Sequence, residues 1–329
     1  MEHYRMYHQE IPAVIRACAE TPCVRRLRDV GMNCGCEYTS FPRFHGLQPY
    51  SRFDHSVGAA LIVWHFTKDE RQAVAGLLHD VATPVFAHVV DFLKGDYLKQ
   101  ESTEDGTRAI IERDAALQKA LRAHGLCTDD VCDYHRYPIA DNDSPRLSAD
   151  RLEYTLGNLI NYRIRMPDEV KAFYADLSVG TNEDGAPELV FSDAELAEDF
   201  AFASLACSKI YVSDEDRYAM QMLAELLKDA IACGMLSEAD LYTTEPQVIG
   251  TLFGDERTAA AWQRFRAYHS MRRATEPTGE GQWRRLAAKK RYIDPLIEGK
   301  GRVSAYSETF AAAAKTFLAD PQDVWIAGE

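Results

Sequence analysis

A mainly α-helical fold with minor β structure is what this 329-residue chain predicts. Apolar residues recur every three to four positions through most of the length, capping residues or prolines stand where those patterns begin, and only a few short segments read as extended. Val14, Ile15, Ala17 and Cys18 give a helical pattern over 13–31 that runs into the basic set Arg25, Arg26 and Arg28. Residues 32–50 are rich in Gly, Pro, Cys and aromatics and read as a loop, with a short extended piece at Glu37–Thr39. Ser51 is placed to cap a helix whose face is Val57, Ala60, Leu61 and Trp64. A second helix runs from Lys68 or Asp69 to His79, with Ala73, Val74, Leu77 and Leu78 as its apolar face, and Pro84 opens a short third one through Phe92.

Helices are expected again at 103–124, 149–164 and 193–210. Another spans 214–233, where Tyr218, Met222, Leu223, Leu226 and Leu227 repeat at helical spacing, and two shorter ones lie near 237–253 and 256–272. The turn NEDGAP at 182–187 leads into a strand at Glu188–Phe191. Two extended runs around Glu298–Gly301 suggest a hairpin before a last helix at 307–319. No internal repeat or low-complexity tract interrupts this order. The expected division is 1–165, an N-terminal helix with the metal-binding residues, and 166–329, a helical extension with a small β element and tail, the two packed as one unit.

Composition narrows the function. Lys and Arg number 37 against 51 for Asp and Glu, 37 − 51 = −14, and such a surface repels nucleic-acid backbones. A few arginines inside one cleft would still hold a small phosphorylated substrate. The sequence has no apolar stretch of about 18 residues, so no membrane span is expected, and its start lacks the uninterrupted apolar core of a signal peptide. The eight cysteines form no zinc framework and read as free thiols in a reducing, cytoplasmic setting.

The sharpest chemical feature is the pair His79–Asp80, which directly follows the apolar run of GLLHD. Ionisable side chains there are costly to bury unless paired or metal-bound. Upstream, His55 opens a helix in SRFDHSVGAALI; downstream, Asp150 opens another in LSADRLEYTLGNLI. Two imidazoles and two carboxylates from three helices suit one divalent transition metal, Mn, Fe, Co, Ni or Zn. A metal so held can acidify bound water and polarise a phosphoryl group.

The series RFDHSVG, LLHD and ADRLEY resembles the HD-domain metal-dependent phosphohydrolases, and within them the deoxynucleoside triphosphate triphosphohydrolase branch. The likeness covers roughly residues 20–165 and continues more loosely through 188–231. It implies an HD-domain helical bundle with a helical C-terminal extension, and hydrolysis of a phosphoester by metal-activated water. By position it implies metal ligands His55, His79, Asp80 and Asp150. It implies phosphate contacts from Arg52 and Arg151, and a nucleoside-facing Tyr154 beside Asn158. His88 and Asp91 correspond to a His-x-x-Asp pair that protonates the leaving oxygen. Asp91 is expected to orient the ring and raise its pKa.

The pattern also departs from that branch. Two phosphate-lining histidines are replaced by Thr83 and Thr103, and an acid at the sugar contact by Asn158. Thr carries no charge, so the triphosphate clamp is thinned and a monophosphate or a different phosphoester is at least as fitting a substrate. A small phosphorylated substrate, with a nucleotide as the first choice, and a homo-oligomer are the expected partners. Two other readings stay open: a catalytically silent nucleotide sensor, and a two-iron oxygenase drawing on His88, His124 or His135. Arg43 and His45 read as a pocket wall or a solvated loop. Arg284, Arg285, Lys289, Lys290 and Arg291 read as a solvated face, or as a site for an acidic neighbour or an effector phosphate.

Overall fold

Ser51 starts its helix as its position predicts. Its hydroxyl accepts from the Asp54 N–H while the Asp54 carboxylate accepts from the Ser51 N–H, a capping box that satisfies two otherwise orphaned donors. In this computed structural model, which describes residues 6–95, 106–277 and 279–329, that helix carries His55 into the interior. The first elements are α1 (Ala13–Ala19), α2 (Pro22–Arg25), α3 (Arg52–Thr67), α4 (Glu70–Leu78) and α5 (Val89–Lys94). They are followed by α6 (Thr107–Arg113), α7 (Ala115–Ala123), α8 (Thr128–Val131), α9 (Ala149–Asn161) and α10 (Pro167–Ala175). Asp69 caps α4 and Ser148 caps α9, each accepting backbone N–H groups of the first turn. Both helices pack on α3, so the three helices that bear the His and Asp candidates meet around one core.

The second half contributes β1 (Leu177–Thr181), β2 (Pro187–Phe191), α11 (Ala194–Ile210), α12 (Asp214–Ala232), α13 (Glu245–Leu252) and α14 (Glu256–Ala267). The chain then passes through β3 (Met271–Ala274), β4 (Arg284–Arg285), β5 (Leu296–Ile297), β6 (Gly301–Arg302), α15 (Val303–Tyr306), α16 (Glu308–Ala319) and β7 (Trp325–Gly328). One sheet runs in the order β1-β2-β5-β6, with β2 and β5 parallel and the other pairs antiparallel. The other runs β3-β7-β4, all antiparallel. Two apolar cores result, and each draws on both halves of the sequence. One joins α1, α3, α4 and α9 to α11 and α16; the other joins α5 and the 34–44 loop to α12, α14 and β7.

The mainly helical class is what the structure has, and the tail hairpin is β5–β6. Several element boundaries differ from expectation for tertiary reasons. Glu37–Thr39 is not extended: Cys36–Tyr38 makes a 3₁₀ turn after Gly35, whose φ is 80°. Pro84 does not open a helix, because the Val85 N–H is drawn to the Leu241 carbonyl and the Phe86 N–H to Glu245, and α5 begins only at Val89. The helix expected at 237–253 is a 3₁₀ turn at Glu238–Tyr242 followed by α13, which Pro246 restarts. The one expected at 103–124 begins outside the described residues and is divided at Asp114. No helix among the described residues is long and apolar enough to cross a membrane.

Asp114 divides that helix because its side chain has two tasks. Oδ1 caps α7 through Ala116 and Leu117, while Oδ2 accepts from the Cys23 N–H at 2.9 Å and ties α7 to α2. Asp114→Ala should therefore lower stability by about 1–2 kcal/mol, the loss of a cap, with an unchanged slope in urea unfolding.

Candidate metal centre

Each imidazole of the cluster is fixed by what its Nδ1 touches. His55, 1% exposed, has Nδ1 2.6 Å from Glu153 Oε2; His79, which caps the end of α4, has Nδ1 2.7 Å from the Gly76 carbonyl. Both partners are acceptors, so each Nδ1 carries a proton, and it is Nε2 that turns inward, where it offers a lone pair once its own proton is given up. The two Nε2 atoms lie 3.1 Å apart. Asp150 Oδ1 stands 3.0 Å from the first and 3.5 Å from the second, and Asp80 Oδ2 3.8 and 3.6 Å from them. One ligand atom from each of His55, His79 and Asp80 falls within 4.8 Å of the others, with Asp150 against both imidazoles.

The charges at this point do not balance. Asp80, Asp150 and Glu153 bring three negative charges and Arg52, whose Nη1 is 2.9 Å from Asp80 Oδ2, brings one positive, which leaves −2 with neutral imidazoles. The side chains respond as such a deficit dictates. Burial opposes charging His55, yet hydrogen bonds to Asp150 and Glu153 push its pKa up to about 10. His79 is raised too, against burial, by the Asp80 and Asp150 charges. Burial also disfavours the Asp80 and Asp150 anions, but Arg52 and the imidazoles hold the Asp80 carboxyl, and the imidazoles the Asp150 carboxyl, below the usual range. A site with this deficit and converging N and O donors fits a divalent cation.

The sequence reading passed over the residue that organises this arrangement. Glu153 is fully buried and accepts from Tyr50 Oη at 2.5 Å and Tyr7 Oη at 3.4 Å besides His55. Two glycines give it room: a Cβ on Gly58 would lie 2.5 Å from Glu153 Oε1, and one on Gly157 would lie 2.7 Å from Tyr50 Oη. The available signal was spacing, since Asp150, Glu153 and Gly157 share one face of α9.

Other expected site residues take varied places. Arg52 Nε is buried with no partner among the described residues. His88 is partly exposed, its Nδ1 2.8 Å from the fully buried Asp91. Asp91 thus orients the ring as expected, but the pKa expectation is reversed. Burial lowers the His88 pKa more than Asp91 raises it, and the charges of Arg52 and Arg291 push the same way. The Tyr154 ring is 6.3 Å from His55 and 6.1 Å from Tyr211, and Asn158 Nδ2 donates to Tyr211 Oη at 2.8 Å. The Asn158 Oδ1 is buried without a partner among the described residues.

Arg151 is held elsewhere than expected. Its Nε donates to the Arg146 carbonyl at 2.8 Å, Nη2 to the Asn142 carbonyl and side chain, and Nη1 lies 3.2 Å from Asp141. The guanidinium is spent on the 141–146 loop. Thr83 donates to Asp80 Oδ1 at 2.9 Å, so it steadies a candidate ligand; Thr103 lies outside the described residues. His124 lies 3.8 Å from Glu70 and His135 2.9 Å from Asp141. The basic cluster is solvated at Arg285 and Lys289, and its charges are largely committed within the chain. Arg284 pairs with Glu225, Arg285 with Asp323, and Lys290 donates to the Leu318 and Asp320 carbonyls. Arg291 brings its charge within reach of His88 and Tyr154.

Comparison with known proteins places this geometry. No family model matches the chain. It is 26% identical over 206 residues to the uncharacterized protein YdhJ of Bacillus subtilis, a match spanning 61% of either protein's length. It is 24% identical over 261 residues to the metal-dependent phosphohydrolase cns2 of Cordyceps militaris, spanning 78% of this chain and 74% of that one. A phosphohydrolase crystal structure from Bacteroides thetaiotaomicron superposes with a TM-score of 0.64 at 15% identity, over 97% of this chain and 96% of the other. At that identity the likeness shows a shared fold.

Glu153→Gln keeps the volume but removes the charge that fixes His55. Metal affinity, measured by competition with a coloured chelator, should fall about 10–100-fold with the fold retained. Unchanged affinity would show that Glu153 has no part in holding the imidazole for a metal.

Proposed function

We propose that this chain is an HD-type metal-dependent phosphohydrolase that cleaves a phosphoester of a small phosphorylated metabolite, a nucleotide being the favoured class. The observation that carries this reading is the surplus of carboxylate charge facing two inward Nε2 atoms. The kinship with a protein named as a metal-dependent phosphohydrolase supports it. His55, His79, Asp80 and Asp150 would hold one divalent transition metal. Such a metal supplies acidification of water and polarisation of a phosphoryl oxygen.

The residues around it divide the remaining work. Arg52 and Arg291 receive the phosphoryl oxygens: one offers a buried N–H without a partner among the described residues, the other a positive charge beside His88 and Tyr154. His88, neutral in the resting protein and oriented by Asp91, presents Nε2 toward the reacting group. A phosphate dianion between the arginines offsets the charges that add to burial in lowering its pKa, so the ring can take up a proton and pass it to the leaving oxygen. Tyr154, Tyr211 and Asn158 form a wall for the organic part of the substrate. The vacant Asn158 Oδ1 is an acceptor suited to a sugar hydroxyl or a base N–H. With Thr83 committed to Asp80, phosphomonoesters fit better than triphosphates.

Metal content per chain and phosphate release from nucleoside mono- and triphosphates test the reading together. About one metal with release from a monophosphate is expected. Two irons would instead indicate the oxygenase class, and tight nucleotide binding without product the sensor class. His88→Ala should keep the metal and lower kcat about 10²–10⁴-fold, so unchanged turnover would remove His88 from the mechanism. Arg291→Ala should raise KM about tenfold or more with a smaller change in kcat, and equal kinetics would remove Arg291 from substrate binding.

A further inference from the structure

Behind the turn that carries Asp80 lies a cleft of about 460 Å³, separate from the metal cluster and within the size range of small-molecule sites. We propose that this cleft binds a small organic anion with an aromatic ring. Two guanidiniums, Arg26 and Arg113, stand on its wall close enough to feel each other's charge. Neither forms an ion pair among the described residues: Arg26 donates only to backbone carbonyls, and Arg113 has no hydrogen-bond or ion-pair partner there. The carboxylate of the lining, Asp114, is turned to three backbone N–H groups, those of Cys23, Ala116 and Leu117. The cleft therefore carries a surplus of positive charge that its own carboxylate does not answer.

The rest of the wall is mostly apolar. Val81 and Ile110 are buried, and the partly buried Tyr242 gives a ring face on which a flat group can stack. Guanidinium charge together with apolar and aromatic side chains in one cleft selects an aryl phosphate, phosphonate or carboxylate over a bare inorganic ion or a neutral ring.

The site is also wired to the metal cluster. Arg26 Nη2 donates to the Val81 carbonyl at 3.1 Å and the Thr83 carbonyl at 2.6 Å, while Nη1 donates to the Thr243 carbonyl at 3.1 Å. The same guanidinium thus pins the turn that positions Asp80 and its Thr83 partner. An anion drawn to Arg26 competes with those carbonyls, and occupancy of the cleft and hold on the turn are coupled in both directions.

Phenylphosphonate, whose C–P bond resists hydrolysis, is the probe, titrated calorimetrically into the metal-loaded protein. We expect a binding event that Arg113→Ala weakens about tenfold or more and Arg113→Glu abolishes, as for loss of a charge-assisted hydrogen bond. His88→Ala and Arg291→Ala should leave that event intact, and inorganic phosphate and benzyl alcohol should each bind more weakly. Arg113 is exposed and has no partner among the described residues, so an unchanged melting temperature verifies that its variants fold. Absence of binding, binding spared by both Arg113 substitutions, or binding lost only in Arg291→Ala would overturn the proposal. Phosphate release plays no part in this readout, so the cleft stands or falls apart from the proposed activity.

Discussion

Burying Glu153 in the middle of α9 is the constraint from which the rest of the site follows. A carboxylate at zero exposure survives only if its charge is answered by hydrogen bonds and a nearby cation. Two tyrosine hydroxyls and the His55 Nδ1–H supply the hydrogen bonds, and the two glycines let α3, α9 and the Tyr50 loop approach closely enough to make them. With its oxygens so occupied, Glu153 passes its demand for positive charge inward through the imidazole. The orientation of His55, its raised pKa and the fit to a divalent ion all express that one demand.

Arginine is used in this acidic protein largely as internal stitching. Arg26 holds the 81–83 turn, Arg52 holds Asp80, Arg151 holds the 141–146 loop, and Arg217 pairs with Asp214 deep in the second half. A planar group with five donors can bridge several carbonyls at once, which suits it to fixing irregular backbone that no helix or sheet satisfies. The loops bearing the ionisable residues are irregular in just this sense, and each is tied to a helix by a guanidinium. Rigid first contacts on mobile elements would be of little use to a metal.

The helices that carry His55, His79, Asp80 and Asp150 were legible because their caps and apolar faces are local features: Ser51, Asp69 and Ser148 each sit where a cap must. His88 with Asp91 was legible from i, i+3 spacing. The fate of Arg151 was not, since nothing in its neighbourhood announces that Asn142 and Arg146 fold back over it. Nor was Glu153, whose role depends on Tyr7 and Tyr50, both about a hundred or more residues away. The small strands β4, β5 and β6 are only two residues long, so periodicity has too little length to act on; they exist because a partner strand is already there. Arg291 was grouped with its basic neighbours by composition, whereas the tail distributes that cluster among separate partners.

The placement of β7 has a consequence for how the chain acquires its second core. Trp325–Gly328 is the central strand of its sheet, flanked by β3 and β4, and Ile326 is fully buried against the core around α12. During synthesis both flanking strands emerge before the strand that joins them. Until it arrives, β3 and β4 are unpaired edges and the part of α12 on which β7 packs is uncovered. The α3–α4 pair, built from neighbours in sequence, can settle early, while the layer over α12 must wait. Order of emergence therefore leaves a window in which one half of the molecule is structured and the other is open to self-association.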